Sequence, residues 1–549
     1  MKNLLKSFTY QIKATQREPK VLKIEHIDKI MTTSTIKRRR STNMTTSVEG
    51  VPFCSRSPSD SDSWITYRED HINPFTYRLR INSRLAMVKI YILTVVLLPL
   101  RLIGCFLSLC CAWVFAKIGM IGLSEGQLNA KPLFGWRKRV QKISAFFMRM
   151  LYACGSFHYI RYKGKCAAAK DAPILVVAPH SSYVDSIIVA ATGPPAIVAK
   201  QETSNIPLLG KIITFAQPIY VQREDSNSRQ NTVRTIVERA RSEDDWSHVI
   251  IFAEGTCTNR KALIKFKPGA FYAGVPVQPV LLKYPNKYDT FTWTWDGPGA
   301  LKLLWLTLST FYNNCEIEYL PVYYPNEDEK ADPFLYAENV RAVMARALGV
   351  PTSEYSFEDV VMMTRARSLN VPCSADIIEI ERCLFHLNFL NSSRVLKLAG
   401  KYSSTQNRHK MDITRFSEFL NISATNAHLH KLFAILDYKH TGAISLKTFF
   451  LSALFCIFKS GDTMEFLRAV STLYASGNTD QLTHEQFLAI LKHCDKLSKK
   501  KLRTLYLRIA ELKAGNRITF DDFENYTRNR EEYKFLFKKH EHIQMRLKK

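Results

Sequence analysis

The chain has 549 residues, 46% of them hydrophobic, and carries a formal net charge of +28. That length allows several domains with their own cores, and that apolar content excludes a wholly disordered protein. So much positive charge calls for nucleic acid, an anionic membrane face or a polyphosphate-bearing cosubstrate, and the lack of zinc-finger, RNP or basic-zipper spacings removes the first.

The 12 cysteines are scattered without a CxxC pair. That is the usage of a reducing compartment, so the bulk of the chain is expected to face cytosol. Residues 1–70 are rich in Lys, Ser and Thr, include Lys37-Arg38-Arg39-Arg40-Ser41, and read as a solvated, disordered basic tail. No apolar signal region sits near Met1.

Residues 85–122 are strongly apolar, interrupted by Pro99-Leu100-Arg101, with basic residues flanking both ends. Positive charge on both sides argues that both ends stay cytosolic. The pattern predicts a membrane-anchoring helical hairpin kinked at Pro99 and held in one leaflet. A single span is the second reading and a buried soluble helix the third.

From 135 to 349 strands and helices alternate, which predicts one α/β domain on a mostly parallel sheet. Strands are predicted at Ile174–Ala178, Ala196–Ala199, Pro218–Val221, Val249–Phe252, Val277–Leu282 and Glu316–Leu320. Helices are predicted at Arg137–Phe157, Ser182–Ala190, Pro207–Phe215, Asp225–Arg241, Leu301–Tyr312 and Pro333–Leu348. From 370 to 535 the texture is all helical, beginning with one long helix over Ala375–Leu398. Ala443-Ile444-Ser445, Gln481-Leu482-Thr483 and Arg517-Ile518-Thr519 recur at the spacing of paired EF-hand loops.

Candidate chemistry gathers at predicted strand ends, where open α/β sheets collect ligands. The apolar run Ile174–Ala178 delivers Pro179-His180-Ser181-Ser182-Tyr183-Val184-Asp185. A pair at that spacing arises by chance in a chain with 14 histidines. Its position raises it: Ser181 or Ser182 can start a helix that carries Asp185 back to the imidazole, which suits a general base. Ile219–Val221 leads to Arg223, a group suited to phosphate or simply to a charged surface. Val249–Phe252 leads to Ala253-Glu254-Gly255-Thr256-Cys257-Thr258-Asn259-Arg260, dense in polar groups with a glycine for close approach. Val275-Pro276-Val277-Gln278-Pro279-Val280 brings in one more strand after Lys265, Lys267 and Pro268-Gly269.

These blocks resemble, in order, the four motifs of the glycerophospholipid acyltransferase superfamily, and most closely its lysophosphatidylcholine and lyso-platelet-activating-factor branch. Asn73-Pro74-Phe75, the apolar segment, Lys265–Phe271, Tyr284-Pro285-Asn286-Lys287 and the EF-hand-like tail share the resemblance, which spans roughly residues 72–535. It implies a membrane-bound enzyme that moves an acyl group from acyl-CoA to the glycerol hydroxyl of a lysophospholipid, with His180 as base and Asp185 orienting it. It assigns Arg223 and Glu254-Gly255-Thr256, with Arg260 beside them, to the acceptor's phosphate, and Pro276 to the architecture or acyl site. Lys200, Lys265 and Lys267 are candidates for the CoA phosphates. Cys257 stands where many relatives carry arginine, and direct transfer leaves it a structural role. Trp293 and Trp295, alternating along a predicted strand, are candidates for a choline cage, with core packing the commoner role.

The best calcium loop starts at Asp437 but has Lys439 at position three and Thr448 at twelve, so an EF-hand fold without regulatory calcium is expected. No bound cofactor or metal is expected; the partners are the bilayer, the lysophospholipid and acyl-CoA, with no nucleic acid. Lipid synthesis and the family imply the endoplasmic reticulum membrane, with Golgi or lipid droplet as alternatives. Lysophosphatidic acid or another head group, or a catalytically silent membrane scaffold, are the competing readings. Oligomeric state and acyl-chain choice stay open.

Overall fold

The computed structural model describes residues 73–537 except 194–195, 222–225, 405–409, 475–480, 495–497 and 514–516. The basic N-terminal tail and Arg223 therefore lie outside the described residues.

Seven strands form one sheet: β1 (Ile160–Lys163), β2 (Ile174–Ala178), β3 (Ala196–Lys200), β4 (Ile219–Val221), β5 (Val249–Phe252), β6 (Val277–Lys283) and β7 (Cys315–Tyr319). Their order is β1-β7-β6-β2-β5-β3-β4. The five strands from β6 to β4 are parallel, while β6 meets β7 antiparallel and β1 runs alongside β7. The sheet is thus mostly parallel, as predicted. Only β1 went unread: it is an edge strand with one buried residue followed by three exposed ones, and so lacks an apolar run.

Strand β2 is central and buried along its whole length. Ile174, Val176 and Ala178 pack into one core layer, against Tyr336, Val340 and Met344 of a covering helix. Leu175 and Val177 pack into the opposite layer with Phe157, Ile187 and Phe291. Burial on both faces explains why the strand reads as a continuous apolar run rather than an alternation.

The apolar segment differs from expectation. Residues Arg84–Gly119 form one 36-residue helix, α1, with Pro99 inside it, and no turn back occurs there. The chain reverses instead after Gly119, and α2 (Gly135–Cys154) packs back along α1. At Pro99 the helix loses one backbone hydrogen bond but continues. The residue that argued most against continuity, Arg101, is engaged. Its guanidinium donates to the carbonyls of Leu308 (2.5 Å), Thr310 (2.5 Å) and Phe311 (2.6 Å), closing the C-terminal end of α3 (Ala300–Leu308). The Leu308 carbonyl ends its helix without a partner there, those of Thr310 and Phe311 follow just beyond it, and a cation at this place also complements the helix dipole. Thr94 of α1 meets Ser309 and the Trp305 indole, each at 2.9 Å. Farther along, Gly119 approaches Phe215 so closely that an added Cβ would stand 2.1 Å from the ring. One face of α1 is therefore bound to the α/β domain. The other, with Leu85, Ile92, Val95, Leu100, Ile103 and Leu107, is exposed.

After Leu348 the chain is helical, with helices at Phe357–Ser368, Ile377–His386, Ser392–Ser404, Ile413–Leu420, Ala427–Leu436, Leu446–Phe458, Thr463–Ser471, His484–Leu491, Lys499–Leu512 and Phe520–Arg528. The expected long helix over Ala375–Leu398 is two, broken where Asn388 adopts φ 56° and Asn391 caps the next segment. Two short antiparallel ladders link loops in pairs, Lys410–Met411 with Ile444–Ser445 and Gln481–Leu482 with Ile518–Thr519. Three of these four strands lie at the repeats seen in the sequence; Lys410–Met411 is the partner the repeat left out.

Candidate active site

Three neighbouring parallel strands, β6, β2 and β5, end on the same edge of the sheet, and each contributes to one cluster. Beyond β2 comes His180, beyond β5 come Glu254 and Cys257, and beyond β6 comes Tyr284. Ser182 caps a short 3₁₀ turn over Tyr183–Ser186, and this turn swings Asp185 back to the imidazole. His180 Nδ1 and Asp185 Oδ2 are 2.8 Å apart.

The other partners of Asp185 are donors. Oδ2 also accepts from the amides of Ser181 (2.6 Å) and Ser182 (2.9 Å), and Oδ1 accepts from the Tyr284 hydroxyl (2.7 Å). With the Asp185 carboxylate at Nδ1, the neutral ring carries its proton there, and it is in that form that Nε2 presents its lone pair. The Asp185 side chain is fully buried, while that of His180 keeps 22% exposure, enough for a substrate to reach the ring. Tyr284 was quoted among the family blocks but given no role; burial and the Asp185 charge push its phenol well above the usual range and keep it a donor.

The backbone of His180 is held from the β5 side. Its amide donates to Glu254 Oε2 at 2.6 Å, and its carbonyl accepts from the Thr258 amide at 2.7 Å. Phe252 lies against the imidazole with ring centroids 4.4 Å apart. Glu254 is fully buried, and that burial pushes its carboxyl up to about 7 although the His180 and Ile264 amides pull it back. Its carboxylate is thus spent on bracing the base, which separates it from the expected phosphate contact. Gly255 turns the loop with φ +67°, a conformation that favours glycine, and the Lys267 side chain passes close over it. Gly255 and Thr256 are half-buried beside the cluster.

Cys257 lies where a structural role did not place it: its Sγ is 3.7 Å from His180 Nε2. Burial favours the neutral ring, but the thiol at Nε2 and the carboxylate at Nδ1 outweigh it and hold the imidazole well above its usual range.

Other candidates are dispersed. Arg260, at φ 65°, pairs with Asp289 and lies over the rings of Tyr284 and Phe291. It buttresses Tyr284, and its Nη1 is buried with no hydrogen-bond partner among the described residues. Pro276 precedes β6 and so sits at the opposite edge of the sheet, on the order of 20 Å from His180 by strand rise. Strand β4 ends at Val221 on the catalytic edge, three strands from β2 or about 14 Å. Lys265 pairs with Glu354, and Lys267 lies 3.5 Å over the Phe357 ring. Trp295 is covered by the Arg367 guanidinium at 3.8 Å. Trp293 is not in a strand; its amide donates to the Ser181 carbonyl at 2.8 Å and its ring meets Tyr183.

One further element was legible only as part of the resemblance. Asn73–Thr76 forms a strap against the β5 loop: the Asn259 amide donates to Pro74 O (2.8 Å) and its side chain to Asn73 O (2.9 Å) and Thr76 O (3.0 Å). Asn73 in turn donates to Ala375 O at 2.8 Å, and Phe75 packs edge-on to Tyr355. The helical region is thereby tied to the residues next to Thr258.

Residues 159–283, which contain His180, Asp185, Glu254 and Cys257 and end one residue before Tyr284, match the acyltransferase family model. Over 491 residues the chain is 57% identical to a lysophosphatidylcholine acyltransferase of Drosophila melanogaster, covering 89% of this chain and 92% of that one. It is 40% identical to lysophosphatidylcholine acyltransferase 1 of Rattus norvegicus (82% and 84% covered) and 35% identical to lysophosphatidylcholine acyltransferase 2 of Homo sapiens (85% and 84% covered).

Proposed function

The chain belongs to the lysophosphatidylcholine acyltransferase family, and from that membership we propose that it transfers an acyl group from acyl-CoA to the free glycerol hydroxyl of lysophosphatidylcholine. The observation that carries this reading is the buried Asp185–His180 pair, whose Nε2 faces outward at the edge of the sheet. A lipid hydroxyl is too weak a nucleophile to attack a thioester unaided; His180 takes its proton and Asp185 stabilises the imidazolium that results. Base assistance is worth ~10²–10⁴-fold, so positioning and stabilisation of the oxyanion must supply the remainder.

The enzyme works from one leaflet of a membrane. Helix α1 would extend about 54 Å, well beyond the ~30 Å of a hydrocarbon core. It is bound along one face to the α/β domain through Thr94, Arg101 and Gly119, so lipid can surround only its other face. Trp136, Ile143, Phe146 and Met150 of α2 extend that exposed apolar surface. The endoplasmic reticulum is the membrane we assign, with the domains toward cytosol; all 11 described cysteines are free thiols, in keeping with that side.

The paired helix–loop–helix units after residue 391 are EF-hand-like and calcium-independent. In the loop opening at Asp437, its carboxylate already accepts from the amides of Thr441 (2.9 Å) and Gly442 (2.8 Å). Lys439 and Thr448 stand where a calcium site needs oxygens, the latter in place of a bidentate glutamate.

The deciding experiment assays microsomes with a panel of lysophospholipids and acyl-CoAs, wild type beside His180→Ala. Phosphatidylcholine formation by wild type, lost in the variant with membrane association unchanged, is expected. Transfer only to lysophosphatidic acid would move the acceptor assignment, and equal activity of the variant would remove the base.

A further inference from the structure

The two oxygens of Asp185 are held from different parts of the fold. Oδ2 is secured locally, by His180 Nδ1 and by the Ser181 and Ser182 amides of its own turn. Oδ1 has one partner among the described residues, the Tyr284 hydroxyl at 2.7 Å. Tyr284 arrives from the end of β6, the strand that flanks β2 on the side away from β5. The local contacts fix one end of the carboxylate. The tyrosine fixes its plane, and with it the direction in which the imidazole is held.

Tyr284 is itself built in. It is only 9% exposed, and its ring meets those of Phe291 at 4.7 Å and Phe157 at 6.2 Å between centroids. The Arg260 guanidinium lies over the same ring, 5.5 Å from its centroid, where its charge makes the phenol a better donor. Arg260 is paired in turn with Asp289, whose carboxylate accepts from the amide (3.1 Å) and hydroxyl (2.6 Å) of Thr292. The arginine that the resemblance assigns to the acceptor's phosphate is thus committed to Asp289 and to the tyrosine behind the dyad.

We propose that Tyr284, backed by Arg260, is a positioning residue of the dyad that fixes the Asp185 carboxylate and lowers the proton affinity of His180. The inference rests on the acyl-transfer function above. Its sign follows from the hydrogen bond. A donor at Oδ1 draws charge away from Oδ2, so Asp185 holds the imidazolium less tightly and the base is free nearer neutral pH. Without the hydroxyl the buried Oδ1 loses its partner, and the dyad takes up a proton more readily whichever of its members carries it. The other titratable groups around the pair are Cys257 at Nε2, Glu254 on the His180 amide, Tyr152 of α2 and Cys315 of β7. Burial pushes Tyr152 and Cys315 up to about 12, so both stay neutral in the working range. Glu254, pushed up to about 7 by burial, does titrate there, but Tyr284 is not among the groups that shift it. A pH limb set by Glu254 would therefore not move when Tyr284 changes.

The test uses the full-length protein in phosphatidylcholine nanodiscs with palmitoyl-CoA and lysophosphatidylcholine. Tyr284→Phe keeps the ring and removes only the hydroxyl. The acid limb of its kcat/KM profile should lie about one pH unit above that of wild type, so turnover falls ~10-fold at neutral pH and recovers as pH rises. Phe157→Leu, which disturbs the packing of the same ring without touching Asp185, should leave the limb in place. Arg260→Gln should move the limb in the same direction by less, with KM for the acceptor little changed. Diethyl pyrocarbonate attacks only the neutral imidazole, so the pH midpoint of His180 modification, read by mass spectrometry of its peptide, should shift equally and without reference to turnover. A limb and midpoint coincident with wild type, a loss uniform across pH, or an equal shift in Phe157→Leu would overturn the proposal while leaving the acyltransferase reading intact. A raised acceptor KM with an unmoved limb in Arg260→Gln would return Arg260 to the phosphate and overturn its part. Absence of wild-type turnover with any lysophospholipid would instead count against the acyl-transfer reading.

Discussion

Replacing Asp185 with asparagine removes one charge and little else. Oδ2 faces three donors, His180 Nδ1 and the amides of Ser181 and Ser182, so the amide oxygen of asparagine must take that place. Its NH₂ then falls at Oδ1 and donates to Tyr284, whose hydroxyl can turn to accept. The ring keeps its tautomer and position; what it loses is the negative charge 2.8 Å from Nδ1. At an effective dielectric of about 20, unit charges at that distance attract by about 6 kcal/mol, an upper bound because the amide dipole replaces part of it. Retaining a third to a half of that term leaves a loss of ~3–4 kcal/mol in the step that charges the imidazole, or ~10²–10³-fold in rate. Microsomal transfer of radiolabelled palmitate from palmitoyl-CoA to lysophosphatidylcholine should show kcat reduced by that factor and KM for the acceptor within about threefold. Because Asp185 acts only through His180, the double variant with His180→Ala should be no slower than His180→Ala alone. A kcat within tenfold of wild type, or a double variant much slower than His180→Ala, would refute the argument.

Glu254 offers a test by pH. Its folded-state value of about 7 exceeds the unfolded 4.5, so the stability it contributes is present below pH 4.5 and is lost as pH rises through 7, about 3 kcal/mol in all. Glu254→Gln should flatten that decline in melting temperature between pH 5 and 7.5; an unchanged slope would mean that Glu254 is charged at low pH. Arg101→Met leaves three carbonyls at the end of α3 without their donor and should destabilise by about 2–4 kcal/mol in detergent denaturation, with no loss if the cap is incidental. In the helical region, Lys459 pairs with Glu381 where both side chains are only 6% exposed, so Lys459→Met should cost about 3–5 kcal/mol by stranding a buried carboxylate. Calorimetry of the full-length protein should detect no calcium binding at micromolar levels; micromolar affinity would overturn the account of the Asp437 loop.

What could be read along the chain was what local chemistry dictates. Ile174–Ala178 had to be a two-sided strand because five consecutive apolar residues leave no polar face. Ser182 three residues before Asp185 is a capping arrangement, and the capping box formed. Charge flanking the apolar segment marked it as a membrane element, but the choice between turning at Pro99 and continuing depends on what packs there. The carbonyls that accept Arg101 lie more than 200 residues away. Edge strand β1 and the ladder partner Lys410–Met411 were silent for the same reason, being short and defined by their pairing.

By itself the sequence determined the central strand, the mostly parallel sheet and the apolar platform, since each follows from periodicity over a few residues, while the dyad was legible only through its place at a strand end and the family resemblance. Only the tertiary structure decided how these combine. Strand order β6-β2-β5 brings Tyr284, His180 and Cys257 together from positions far apart in the chain. It spends Glu254 on the His180 backbone and moves Pro276 to the far edge. A sulfur at the catalytic nitrogen is a property of two loops meeting, and no stretch of either loop contains it.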